Sequence, residues 1–276
     1  MNGPKNTSVI GIGNLSTDVK VANTTQSTAE LVTQGHRVCA LIPAAGRGQR
    51  MGADGNKLFM QLAGKTILER TLDVFERHPR VTDICLITTP AEIDKVRSLI
   101  KKNHFQKINF LAFGGETRGQ SVANGLKTLA NESAQNDPMT DLIAASKPFA
   151  ANDFVLVHDG ARCLITADVI DRCITGARIH GAVVAGVPVK DTIKFVDVEE
   201  CVTGTPNRSE LRQIQTPQAF RFGLLYDAYT KHFAELTDDA AVVEASGHPV
   251  HIVPGDERNI KITTPLDLAI AEQFLR

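Results

Sequence analysis

Short apolar runs alternate with amphipathic helical patterns from Arg37 to the end of the chain, and this alternation constrains the fold more than any other feature of the 276 residues. "RVCALIPA" reads as a buried strand, and "TILERTLDVFERH", from Thr66, places Ile67, Leu68, Leu72, Val74 and Phe75 on one helical face. "VTDICLITT" and "AEIDKVRSLIKKN" repeat the strand and helix, "KINFLAFGG" and "SVANGLKTLANES" repeat them again, and "DFVLVHDGARC" precedes a helix in "ADVIDRCITGARIHG". "AVVAGVPV" is a fifth strand. This order predicts a three-layer, doubly wound α/β fold, a mostly parallel sheet with helices on both faces. In such sheets ligands sit at the carboxyl ends of the strands, so the loops after Ile42, Phe113 and Val157 are the places to look for chemistry.

Three segments break the rhythm. Residues 1–36 are rich in Ser, Thr, Asn and Gly and are expected to form a flexible extension, leaving 37–276 as a single domain. Residues 131–153, polar and punctuated by Pro138 and Pro148, read as a surface insertion. Residues 190–218 read as two strands, "IKFVDV" and "LRQIQT", around a loop, an antiparallel arm projecting from the core. Beyond the arm come a helix in "RFGLLYDAYTKHFAE", a capped helix beginning at "TDDAAVVEASG", a strand in "PVHIVPG" and a terminal helix opened by Pro265.

Charge excludes some partners. With 30 basic and 31 acidic residues, no tryptophan and no basic run interleaved with aromatics, the chain has no nucleic-acid-binding signature. Five scattered cysteines without a C-x-x-C pair fit reduced thiols, and no apolar run is long enough to span a bilayer. The expected location is the cytoplasm.

The loop "PAAGRGQRMGADGNK" follows the first strand. It fits neither the common phosphate-loop pattern nor the dinucleotide fingerprint. Ala44, Ala45, Gly46 and Gly48 are small enough for backbone N–H groups to approach an anion, and Arg50 and Lys57 add fixed positive charge. The composition suits a triphosphate, and taken alone it suits a solvated basic loop equally well. Asp159, at the end of "FVLVHDG", is placed either to hold Mg²⁺ or to cap the next turn. His158 reads as a packed strand residue rather than a base, and Arg47 as an ordinary solvated loop residue.

"PAAGRGQRMGADGNKLF", "GGETRGQSV", "VHDGAR", "PVKDTIK", "TPQAF", "TDDA" and "NIKITTPLDL", in that order over about Val38 to Arg276, resemble the 2-C-methyl-D-erythritol 4-phosphate cytidylyltransferase family of the non-mevalonate isoprenoid pathway. The resemblance implies a nucleotide-diphospho-sugar transferase-like, Rossmann-like fold and transfer of CMP from CTP to 2-C-methyl-D-erythritol 4-phosphate, with Mg²⁺. It implies that Arg50 and Lys57 stabilise the transition state, and that Ala44, Gly115, Glu116, Ser121 and Arg118 frame the cytosine. Asp159 would hold the metal and triphosphate. Arg208 and Lys261 would position the attacking phosphate, with Thr192, Thr216 and Thr237 as hydrogen-bond donors. The arm implies a homodimer in which each site is completed by its partner.

The chain departs from the family's pattern at Cys163, where proline is common, at Gly160, where alanine is frequent, and at Asp239, where glutamate is common. None removes a charge that the chemistry requires. The alternatives are a ribitol-5-phosphate cytidylyltransferase and, in a different class, a noncatalytic nucleotide-binding assembly protein.

Overall fold

The computed structural model describes residues 35–46, 56–132, 146–231 and 236–276. The extension up to residue 34, the loop residues Arg47, Gly48 and Arg50, and most of the 131–153 insertion therefore lie outside the described residues.

The chain forms a seven-stranded central sheet flanked by helices. In chain order the first elements are β1 (Val38–Pro43), the two-residue strands β2 (Gln61–Leu62) and β3 (Lys65–Thr66), α1 (Ile67–Arg77), β4 (Asp83–Thr88) and α2 (Ile93–Asn103). Next come β5 (Ile108–Phe113), α3 (Arg118–Leu129), β6 (Phe154–Val157), α4 (Ala167–His180), β7 (Ala182–Pro188), β8 (Phe195–Val196) and β9 (Val202–Gly204). β10 (Arg212–Arg221), α5 (Phe222–Lys231), α6 (Asp239–Ala245), β11 (His251–Pro254) and α7 (Pro265–Phe274) complete it. The sheet order is β11-β7-β10-β6-β1-β4-β5. Every neighbouring pair is parallel except β10, which runs antiparallel to both β6 and β7.

The strands read as near-continuous apolar runs because both faces are covered. Alternate residues of β1 enter different cores: Val38, Ala40 and Ile42 pack with α1, α2 and α4, whereas Cys39 and Leu41 pack with α3 and α5. On α1 the predicted face is buried at Ile67, Leu68, Leu72 and Phe75, while Val74 is only partly covered. The helix starts where Thr66 and Glu69 form a reciprocal capping box. Burial raises the Glu69 carboxyl, but hydrogen bonds from Asn103, the Thr66 backbone and Lys102 outweigh it and hold the group at about 2.

Two expectations need correction. "LRQIQT" is not a strand of the arm: it opens β10 and pairs with β7 in the central sheet. The arm hairpin is Phe195–Val196 against Val202–Gly204. Alternation in "LRQIQT" cannot distinguish a hairpin partner from a central strand; the long-range partner decides. The insertion is also not wholly superficial. Phe149 is buried against Phe110 and Phe222, and the Arg37 guanidinium lies 4.1 Å over its ring. One aromatic side chain anchors an otherwise polar stretch, because burying a ring stabilises by a few kcal/mol.

Among the described residues no helix is long and apolar enough to cross a membrane, and all five cysteines are free thiols.

Candidate active site

The segments that follow β1 and β5 meet over the end of β4, which lies between them. Ala44 N–H donates to Ile87 O at 2.7 Å, and Asn56 Nδ2 donates to Ala44 O at 2.7 Å, so the two flanks of the glycine-rich loop are tied together. Asn56 also accepts from Leu58 N–H and so caps the short 3₁₀ turn Lys57–Phe59, which presents Lys57. Beside it, Gly114 N–H donates to Thr88 O. A β-carbon on Gly114 would lie 2.4 Å from that of Ala45, so only glycine lets these two loops touch. Gly115 N–H donates to Ser121 Oγ, Ser121 Oγ donates to Thr117 O, and Glu116 N–H donates to Gln120 Oε1, which fixes the turn at the start of α3.

The end of β6 supplies the carboxylate. His158 is fully buried against Phe75, with Nε2 3.2 Å from Arg162 O and Nδ1 3.1 Å from Thr216 Oγ1. Burial pushes its pKa down to about 4, against smaller opposing contributions from Asp159 and the Arg162 carbonyl, so the ring is neutral at pH 7. A carbonyl only accepts; Nε2 therefore carries the proton and Nδ1 receives the Thr216 hydroxyl proton. Thr216 Oγ1 in turn accepts from Asp159 N–H at 3.0 Å. Asn259, also fully buried, donates to Thr216 O at 2.8 Å. From α1, Thr71 Oγ1 donates to Gly160 O at 2.8 Å. The backbone around Asp159 is thus held from four directions. His158 is a packed strand residue, as expected from the sequence.

Three cations face the Asp159 carboxylate: Lys261 Nζ at 2.8 Å, Arg118 Nε at 3.3 Å and Arg162 Nε at 3.8 Å. Burial alone would raise this carboxyl; Arg118, then Lys261 and Arg162, overcome that and hold it far below the usual range. Arg118 also forks onto the fully buried Asp239, at 3.1 and 2.7 Å. Burial would lower the Arg118 pKa, but Asp239 and then Asp159 raise it above its ordinary value. Lys57 Nζ donates to Ile262 O at 2.6 Å, next in sequence to Lys261, which brings the opening loop and the C-terminal loop together. Lys57, Arg118, Arg162 and Lys261 against Asp159 and Asp239 leave an excess of two positive charges at the carboxyl ends of β1 and β6. That arrangement suits a polyanion.

Lys57, Ala44, Ala45, Gly115, Ser121, Asp159, Thr216 and Lys261 therefore share one end of the sheet with Gly46 and Glu116. Gly48 and Arg50 lie outside the described residues. Arg208 and Thr192 are exposed on the arm, where Arg208 NH1 donates to Lys190 O at 2.7 Å; within this single chain they are not joined to the Asp159 cluster by any contact among the described residues. Thr237 is exposed just before α6. The sequence did not single out Asn56, Tyr229 or Asn259 and treated Asp239 only as a small departure. Asn259, in "NIKIT", gave no signal beyond its place beside Lys261.

The departures at 160 and 163 are accommodated. A β-carbon at Gly160 would sit 3.1 Å from Leu58 Cδ1, and Cys163 is buried as a small apolar residue whose thiol is pushed up to about 11 by burial. Among the described residues no three His, Cys, Asp or Glu side chains converge as a metal cage. One hard carboxylate, Asp159, is the donor set expected for magnesium carried in by phosphate oxygens, and not for zinc.

The family model described as IspD, 2-C-methyl-D-erythritol 4-phosphate cytidylyltransferase, matches residues 38–276. The chain is 42% identical over 243 residues to the 2-C-methyl-D-erythritol 4-phosphate cytidylyltransferase of Geobacter metallireducens, covering 87% of this chain and 97% of that protein. It is 44% identical over 244 residues to the protein of the same name from Geotalea uraniireducens, with the same coverages. Among solved structures, 4-diphosphocytidyl-2C-methyl-D-erythritol synthase from Anaerococcus prevotii superposes with a TM-score of 0.71 at 31% identity, over 87% of this chain and 99% of that one.

Proposed function

The chain belongs to the 2-C-methyl-D-erythritol 4-phosphate cytidylyltransferase family, and from that membership and the geometry of the site we infer that it transfers CMP from CTP to 2-C-methyl-D-erythritol 4-phosphate. The products are 4-diphosphocytidyl-2-C-methyl-D-erythritol and pyrophosphate, and the step serves isoprenoid precursor synthesis. The observation that carries the site assignment is the convergence of Lys57, Arg118, Arg162 and Lys261 on the strand end that bears Asp159.

A phosphate oxygen of the polyol substrate attacks the α-phosphorus of CTP; the new P–O bond forms as the bond to the β-phosphate breaks, and pyrophosphate leaves with the electron pair. The attacking oxygen is already ionised, so no general base is required, in keeping with a neutral, hydrogen-bonded His158. Catalysis is then positioning and charge stabilisation. Lys57, with Arg50, stabilises the negative charge that grows on the α-phosphate and leaving group. The Gly114–Ser121 turn frames the base through backbone groups, its shape fixed by the Gly115 and Glu116 N–H bonds within the turn. Lys261, with Thr237, orients the attacking phosphate; Thr216, expected as a further donor, is instead buried with its hydroxyl proton committed to His158 and holds the Asp159 backbone. Magnesium, held by Asp159 together with phosphate oxygens, would screen the triphosphate charge.

Arg208 and Thr192 serve the site of a second copy in this reading. The arm supports it: Phe195, Val198 and Val202 are 59, 100 and 61% exposed, an apolar surface that a partner subunit would cover. The same reading places the enzyme in the cytoplasm, supported by its free thiols.

Pyrophosphate release with magnesium, CTP and 2-C-methyl-D-erythritol 4-phosphate tests the assignment, with ribitol 5-phosphate and the other nucleoside triphosphates in parallel. Turnover confined to CTP and the methylerythritol phosphate is expected. Preference for ribitol 5-phosphate, or no pyrophosphate from any pair, would overturn it.

A further inference from the structure

A fully buried carboxylate is costly unless it is paired, and Asp239 does not owe its place to helix capping. Its neighbour Asp238 does that work: it accepts from Ala241 N–H at 2.9 Å and from Gln218 Nε2 at 2.8 Å. Asp239 instead receives both prongs of the Arg118 guanidinium and, at 2.6 Å, the hydroxyl of Tyr229 on α5. The bidentate contact fixes the plane of the guanidinium, and the tyrosine hydroxyl fixes the rotation of the carboxylate that grips it. Arg118 is the first residue of α3, directly after the Gly115–Thr117 turn, and its remaining Nε points to Asp159.

We propose that Asp239, oriented by Tyr229, is a positioning residue that holds Arg118 between the nucleotide turn and Asp159. Three consequences follow from the contacts. Arg118 is committed to two carboxylates, so its role is to set geometry and charge and not to read a base edge. Its positive charge is shared, so Asp159 keeps part of its negative potential for the triphosphate and cation. The turn that frames the nucleotide is tied through α3 to α5 and α6. With a neutral side chain at 239 the guanidinium would close onto Asp159 alone and pull the start of α3 with it.

This rests on reading the site as the nucleotide site of a cytidylyltransferase. The test uses the full chain with Asp239→Asn, Asp239→Glu and Tyr229→Phe. For each, kcat and the KM of both substrates are measured, CTP affinity with magnesium is measured by calorimetry, and thermal unfolding is followed. Asp239→Asn is expected to lower kcat/KM for CTP by about thirtyfold and Tyr229→Phe by about fivefold, the scale of lost hydrogen bonds to charged groups. CTP affinity should weaken in step, with the KM for the polyol phosphate within about twofold of wild type. Asp239→Glu should restore most of the loss. Folded Asp239→Asn and Tyr229→Phe proteins with wild-type CTP affinity would overturn the proposal, as would equal losses for both substrates that merely track the melting temperature. If Asp239→Asn does not fold, Tyr229→Phe decides by the same criteria. A wild-type chain that releases no pyrophosphate would instead overturn the reading of the site, and the calorimetric comparison would still decide the role of Asp239.

Discussion

His158 makes the active site a source of acid lability. The ring is fully buried, packs on Phe75 and has both nitrogens engaged by Arg162 O and Thr216 Oγ1. Its pKa falls from 6.5 to about 4, chiefly through burial. The unfolded chain therefore takes up this proton before the folded one. The stability tied to the neutral ring is complete above pH 6.5 and is lost as pH falls through the window down to about 4. At 1.36 kcal/mol per pKa unit the full loss is about 3 kcal/mol, and lowering the pH from 7 to 5 removes about 2 kcal/mol of it. Urea unfolding of the wild type and of His158→Asn at both pH values measures this. Asparagine keeps an acceptor for the Thr216 hydroxyl and does not titrate, and every other group is common to both proteins. The wild type should lose about 2 kcal/mol more than the variant between pH 7 and pH 5. Losses equal within about 0.5 kcal/mol would refute the argument that a neutral imidazole is locked beneath the site.

Two further outcomes follow from the site and the arm. Lys57→Ala should lower kcat about a hundred- to a thousandfold while its circular dichroism and melting curve stay close to wild type, since a preorganised donor to a developing anion contributes roughly 3 to 4 kcal/mol. Near wild-type turnover in that variant would remove Lys57 from catalysis. On the proposed shared-site reading, Val198→Asp, at a fully exposed arm position, should shift the protein from dimer to monomer in analytical ultracentrifugation and reduce turnover, because Arg208 and Thr192 would no longer reach a partner's site; an active monomeric wild type would sink that reading.

Much of this architecture was legible because local rules and tertiary structure agree. The helix starting at Thr66, the capped helix at "TDDA", Pro265 at the start of α7 and the apolar strands are short-range signals, and each lies where the sequence put it. The order of motifs carried the family, and it pointed to Lys57, Asp159 and Lys261, charged groups at strand ends and in loops that the fold brings to one end of the sheet. Asp239 and Tyr229 were not legible in the same way: ten residues apart in sequence, they matter through Arg118, which lies 121 positions from Asp239. "LRQIQT" failed for the related reason that a strand's alternation does not name its partner.

The sequence alone thus determined the α/β class, the positions of the helix caps and which side chains carry charge, because these depend on residue type and on neighbours a few positions away. Only the tertiary structure decided that β10 runs antiparallel within the sheet, that the Thr216 hydroxyl donates to His158 beneath Asp159, and that Arg118 divides its charge between two carboxylates. These depend on burial and on distances between segments remote in the chain. A charge in sequence has only a sign; its pairing, solvation and direction come from the fold around it.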